Sequence, residues 1–470
     1  MHALQRDCLV VGGGAAGAAL AWMLARHGVA VTLVDDGRAH YSGPYETVLA
    51  GTGEVWRRMG LLDAVHDGVR VDPLRHGAIW GGEDLTWRDD PTPGLLLQRG
   101  TFDRALRRAA ATAGAHVYER TRAERVRDGW LCGDDLIAPR LTAVATGRRQ
   151  GLAGLPPYRR GERRTLAVTL RGQPDRQDRG TAVVEAVADG WLWSHCPQEG
   201  PASVAALLDA RSGDGQSRDG QTPDGQRRDG GLRERVDAML AHAHGPAARM
   251  GAVEVVRAND ASPRVRADGG DDLVLGDAAG TIDPLASQGV EKAVAAADHA
   301  TAAILAALRR PDWWPRLRRL HALWERQLCA LHDRTSAGFY ERELRFSTQP
   351  FWRARRQRPD PPLLQHTQPV QWHADVEARH VLMRHGDGFA EVDGVTDVRR
   401  GSEVARIGRV PTAALWPLLR THASIDDVIE QARMDPRLFV LSPRDVHDAV
   451  QWLYQQGWLV SDGPCAPAGH

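Results

Sequence analysis

Leu9-Val10-Val11-Gly12-Gly13-Gly14-Ala15-Ala16-Gly17, followed by an apolar run and then Val29 to Val34 and Asp35, is the stretch that decides the architecture. Three branched apolar residues read as the end of a strand. The alanine-rich run over 15–27 reads as a helix, and 29–34 as a second buried strand, which together make a βαβ unit. In the pattern Gly12-x-Gly14-x-x-Gly17 the glycines let the backbone turn tightly and approach a pyrophosphate. The free N–H groups of Ala15 and Ala16 and the positive end of the helix dipole then meet its charge. Asp35, closing the second strand, is placed to accept hydrogen bonds from a ribose diol. This fingerprint alone does not separate FAD from NAD.

Outward from that unit, a helix is expected over 101–114, mixed strands lead to the apolar run 141–146, and 164–210 alternates like an antiparallel sheet, as in Leu166-Ala-Val-Thr-Leu170. The implied fold class is α/β: a Rossmann-type nucleotide domain over 1–160 and 266–310, interrupted by a sheet-forming substrate domain over 161–265. Within the insertion, 211–231 repeats Asp-Gly every five residues at Asp214, Asp219, Asp224 and Asp229. With almost no apolar side chains it cannot offset the entropy of ordering, and it reads as a disordered loop. A helical segment rich in tryptophan and arginine follows over 311–358. The four prolines of 359–369 read as a linker to a separate small unit over 370–462.

Sixty basic residues balance sixty acidic ones in 470, so no global field draws nucleic acid or an anionic membrane to the chain. The longest apolar stretches are broken by glycine or charge and fall short of a membrane span. Five widely spaced cysteines with no CxxC pair indicate neither a disulfide framework nor a metal site, and a reducing cytoplasm is expected. Lys292 is the single lysine, so nearly all positive charge is arginine.

A second motif narrows the cofactor. Gly276-Asp277-Ala-Ala-Gly-Thr-Ile-Asp283-Pro284-Leu-Ala-Ser-Gln-Gly289 resembles the GD motif of flavin-dependent halogenases and aromatic monooxygenases. Arg99-Gly-Thr-Phe-Asp103 is similar to the family's RxxFD, and Trp191-Leu-Trp193-Ser-His195-Cys-Pro197 to the halogenases' WxWxxP; the spacing of Phe339 and Phe351-Trp352 also matches theirs. The resemblance covers roughly 5–358 and implies FAD. It assigns Asp277 to the ribityl chain and Arg99 to the nucleotide side, and it sets Gly276, Pro284 and Gly289 close to the cofactor. The helix that begins near Leu285 would direct its N–H groups at negative charge on the reduced flavin. Glu46, in Tyr45-Glu46-Thr47, is similar to the acid of the family's GES element.

Family halogenases carry a lysine shortly before that acid, which relays or orients hypochlorous acid. Here the segment reads Ala39-His-Tyr-Ser-Gly-Pro-Tyr-Glu46 and holds none. What the resemblance still implies is hydroxylation of an electron-rich ring through a flavin C4a-hydroperoxide. A base assists that step, and His195, Glu46 and Asp283 are the candidates. Trp191 and Trp193, two apart, share one side of a strand and either line a substrate tunnel or fill core. No second nucleotide fold is visible, so NAD(P)H binds transiently or a separate reductase supplies electrons.

In the last unit, Ser442-Pro-Arg-Asp445 has the features of a helix start, as does Ser424-Ile-Asp-Asp427. Helix, helix and a short strand resemble a winged-helix module or the peptide-recognition domains of enzymes that modify ribosomal peptides. The bland alternative is a packing or dimerisation element. With the recognition reading, the chain resembles flavoprotein monooxygenases that hydroxylate a protein-bound tryptophan in cysteine tryptophylquinone biogenesis. Its partners are then a peptide or small protein and dioxygen. The alternatives are a halogenase or hydroxylase of a carrier-bound or free aromatic metabolite, and a flavin-bound, non-catalytic binding factor.

Overall fold

The computed structural model describes residues 3–37, 45–48, 50–66, 69–71, 74–88, 95–148, 158–160, 164–210, 230–266, 270–286, 288–356, 363–420 and 423–461. The lysine-free segment 39–44 and nearly all of the Asp-Gly tract lie outside them. The chain divides into two compact units, one of residues 1–300 with 324–357, the other of 301–323 with 358–470.

The first unit is built on the expected βαβ start. Strand Leu4–Val11 pairs in parallel with Val31–Val34 on one side and with Asp135–Val144 on the other. His116–Tyr118 adds to the outer edge of Val31–Val34, and Leu273–Val274 joins Asp135–Val144 at the register Ala143 to Leu273. The chain therefore does come back to the nucleotide sheet after its long insertion. Leu9, Val10, Leu33 and Ala143 are fully buried, as strands covered on both faces require. Helix Ala15–Arg26 packs between this sheet and helix Arg99–Thr112, with Ala18, Ala19, Leu20 and Ala21 fully buried.

The insertion forms a second, seven-stranded sheet in the order Glu254–Asp260, Thr165–Gly172, Ala202–Asp209, Gly190–Cys196, Thr181–Val187, Arg75–Ile79, Thr86–Trp87. Its last two strands come from well before residue 161, because Arg75–Ile79 finds its hydrogen bonds in parallel along Thr181–Val187. The sheet's two faces have different partners. Leu166, Val168, Leu192, Val204 and Leu208 pack against Val236 and Met239 of helix Gly230–Ala241. Trp191 and Leu207, on the other face, pack with Tyr340, Phe351 and Trp352 from helices Trp314–Arg342 and Pro350–Arg356.

In the second unit a long hairpin, Val376–His385 with Gly388–Asp397, precedes helices Thr412–Leu418, Ile425–Ala432 and Pro443–Gln455. The final strand, Leu459–Ser461, pairs back on Val370–Trp372. Ser424 with Asp427 and Ser442 with Asp445 form reciprocal capping boxes, as the sequence pattern predicts. Residues 301–323 group with this unit, where Arg316 reaches Glu391 at 2.7 Å and Glu403 at 2.8 Å.

Candidate functional site

The first turn is shaped for a close ligand. Gly12 has φ +109°, and a Cβ there would stand 2.4 Å from the Ala145 carbonyl oxygen; one on Gly17 would stand 1.9 Å from the Gly12 oxygen. At Gly14, which caps helix Ala15–Arg26, the same construction meets nothing within 4 Å, so that side of the turn is open. No side chain caps this helix end and its first turn holds no acid. The N–H groups of its first turn are thus left for an anion such as a pyrophosphate. Asp35 is buried and accepts from the Gly13 N–H at 3.0 Å and the Gly37 N–H at 3.0 Å, one on each oxygen. The second lone pair of each oxygen can still receive a hydroxyl.

The second motif folds against the first. Gly276, at φ +65°, leaves so little room that a Cβ would lie 2.8 Å from the Ala16 Cβ. Asp277, next in the chain and half-buried, accepts from Arg148 Nε at 3.0 Å, and Arg148 also donates to the Asp260 carbonyl at 2.9 Å. Burial raises the Asp277 carboxyl, but the Arg148 guanidinium and the Lys292 ammonium outweigh it and hold the group below the usual carboxylate range. Arg99 adds its charge there too. Its guanidinium is fixed between Glu46 at 2.9 Å and Asp103 at 3.3 Å. Glu46 is therefore held in an ion pair with Arg99. Pro284 opens a short 3-10 turn and Gly289 opens helix Gly289–Arg309, where a Cβ would again meet nothing within 4 Å. The open turn, the uncapped helix and the anchored Asp277 together fit FAD.

Asp283 is the acid that stands out. It is buried, it accepts from the Leu285 N–H at 2.9 Å, and the Tyr340 hydroxyl donates to it at 3.0 Å. The indole N–H of Trp191 donates to that hydroxyl at 3.1 Å. An indole nitrogen can only donate, so the Tyr340 proton is directed at Asp283. Burial pushes the Asp283 carboxyl up, with Leu285, Arg355 and Tyr340 opposing. A carboxylate with a raised pKa beside a cofactor loop suits proton transfer.

His195 is different. It is 2% exposed, and neither ring nitrogen has a hydrogen-bond partner among the described residues. Burial, helped by His76, lowers its pKa to about 3, so at neutral pH it is a neutral donor or acceptor and not a proton-accepting base. Its ring lies 4.6 Å from that of Trp193, and the Ser203 hydroxyl directly across the strand pair is also without a partner among the described residues. Trp191 is fully enclosed, which leaves the partly exposed Trp193 as the tryptophan with surface to offer a ring.

The fold thus gathers Gly12, Gly14, Ala16, Gly276 and Asp277, sets Arg99 within electrostatic reach of Asp277, and ties Asp283 to Trp191 through Tyr340. Sequence reasoning assigned no role to Arg148, Tyr340 or Glu325, although Tyr340 follows Phe339 in the aromatic element noted there. Arg148 carried a faint signal, following a glycine after the apolar run 141–146; Tyr340 and Glu325 are set by contacts across long sequence separations.

The FAD binding domain family matches residues 5–152. No curated protein matches the sequence. Among solved structures, the chain is similar to QhpG, a peptidyl tryptophan dihydroxylase essential for tryptophylquinone cofactor biogenesis, at 25% identity and TM-score 0.65, over 97% of this chain and 100% of that one. It shares its fold with CmlS, a flavin-dependent halogenase, at 19% identity and TM-score 0.67 over 98% of this chain and 96% of that one. It also shares it with PqsL, a probable FAD-dependent monooxygenase from Pseudomonas aeruginosa, at 17% identity and TM-score 0.52 over 74% of this chain and 98% of that one. Among the described residues, no helix is long and apolar enough to cross a membrane. Residues 5–152 are an FAD-binding domain, and the chain is an FAD-dependent oxidoreductase on the fold shared by flavin-dependent halogenases and monooxygenases.

Proposed function

We propose that the chain is a monooxygenase that hydroxylates an indole ring, the side chain of a tryptophan in a peptide or small protein, in the cytoplasm. The observation that carries this reading over halogenation is the state of the only lysine. Lys292 is 2% exposed, and its ammonium donates to Glu325 at 2.6 Å and to the Gly276 carbonyl at 3.1 Å. No lysine remains to direct a hypohalous acid. The full-length likeness to a peptidyl tryptophan dihydroxylase supports the choice of substrate.

The FAD-binding turn, Asp35, Arg99 and Asp277 hold the cofactor, which when reduced by NAD(P)H or a partner reductase activates dioxygen. Asp283 accepts the proton released as the ring is attacked, with Tyr340 holding its carboxylate in place. Trp193 supplies a flat wall for the ring. His195, neutral throughout, offers a hydrogen bond without moving a proton. With dioxygen labelled in both atoms, the product should gain labelled oxygen by mass spectrometry, even in chloride or bromide buffer. A halogenated product would sink the assignment. It would favour the second reading, a halogenase of a carrier-bound or free aromatic metabolite, to which the likeness to CmlS points.

The second unit is proposed to help dock the polypeptide. Met434, Phe439 and Val440 are each more than 60% exposed on the segment between its last two helices. Large apolar side chains at such exposure are what a binding surface offers. Capture there would make presentation of the tethered tryptophan effectively intramolecular. Replacing Met434 and Phe439 with serine should raise the calorimetric Kd for the polypeptide by about tenfold or more while leaving bound FAD unchanged. Wild-type affinity in a folded, flavin-loaded variant would remove the docking role.

A further inference from the structure

Gly276 is held at both ends of its backbone. Its N–H donates to Glu325 Oε1 at 2.8 Å, and its carbonyl accepts from Lys292 Nζ at 3.1 Å. Lys292 Nζ and Glu325 Oε2 close the ring at 2.6 Å. Both side chains are sealed from solvent, with side-chain exposures of 0% and 2%. They come from different helices, Gly289–Arg309 and Trp314–Arg342, and meet over this peptide. The neighbouring Glu325 keeps the Lys292 ammonium charged against the cost of its burial.

A buried ion pair is a weak source of stability, because desolvation consumes much of the attraction. What such a pair does supply is geometry. Gly276 has φ +65°, and it is the residue from which Asp277 projects. Without an anchor, a glycine at that point is free to swing between left- and right-handed conformations, and Asp277 would swing with it. We infer that Lys292 and Glu325 are positioning residues that fix the Gly276 peptide, and through it Asp277, in the conformation that binds the ribityl chain of FAD. The inference rests on Asp277 being a ligand of the cofactor.

The test compares FAD binding to apo-protein, followed by flavin fluorescence, with thermal unfolding of the same apo-protein. Lys292→Met with Glu325→Leu replaces the pair by apolar groups of similar size, so unfolding should stay within a few degrees of wild type. The Kd for FAD should nonetheless rise about tenfold or more, as Asp277 loses its fixed hydrogen-bond geometry. In Lys292→Met with Glu325→Gln, the amide oxygen still accepts the Gly276 N–H, and the loss should be smaller. If the leucine variant does not fold, the glutamine variant carries the comparison by itself. A folded variant with wild-type FAD affinity, alongside an Asp277→Ala variant that loses FAD, overturns the clamp. If Asp277→Ala itself binds FAD normally, the ligand assignment beneath the clamp fails and takes the clamp with it.

Discussion

Asp277→Ala should purify with little flavin. A hydrogen bond to a charged group contributes about 1.5 to 3 kcal/mol, and the partial exposure of Asp277 places this one towards the lower figure. The Kd for FAD is then expected to rise by about tenfold or more, measured by fluorescence titration of apo-protein. The pH dependence has a definite sign. Arg148 and Lys292 hold the carboxyl below its ordinary pKa against the opposing effect of burial. Its contribution is therefore complete at neutral pH and is lost only as the solution is acidified through that lowered value. Asp277→Ala should behave at neutral pH as the wild type does in strong acid. Undiminished flavin occupancy in the variant would count against the assignment.

Asp283→Asn should leave FAD bound and cost turnover. Removing a general base lowers kcat by about a hundredfold to ten-thousandfold. Burial raises the Asp283 carboxyl, so the acid limb of the wild-type profile should lie above the range of an ordinary aspartate, with activity falling as the pH drops through it. Tyr340→Phe sharpens the test. Its hydroxyl hydrogen bond favours the ionised carboxylate, so without it the limb should move to still higher pH, while Asp283→Asn should abolish the limb. Steady-state rates across the acid range, on flavin-loaded protein, decide the matter. A profile unmoved by either substitution would return Asp283 to a structural part in which it only ties its loop to Tyr340.

The nucleotide half was legible because its signals are local. Glycine spacing, an alanine-rich run and a terminal acid each act within a few residues, and the capped helices at Ser424 and Ser442 were readable for the same reason. The network around Asp283 was not. Trp191, Tyr340 and Asp283 meet through separations of 149 and 57 residues, and no period or cap records such a meeting. His195 shows another limit. Its place in a tryptophan-rich motif suggested proton chemistry, but burial without a counter-charge keeps its ring neutral, a property of the surroundings and not of the residue type. The sheet's borrowed strand Arg75–Ile79 was hidden likewise, since parallel pairing leaves no turn to announce it.

Lys292 has a practical side. It is the chain's only side-chain amine, and it is sealed in the interior. Amine-directed cross-linkers, acylating labels and resin couplings that treat most proteins as lysine-covered objects find no lysine on the surface of this one. Acylation of Lys292 must follow a transient opening of the fold around it, so the rate of modification there becomes a clock for that opening.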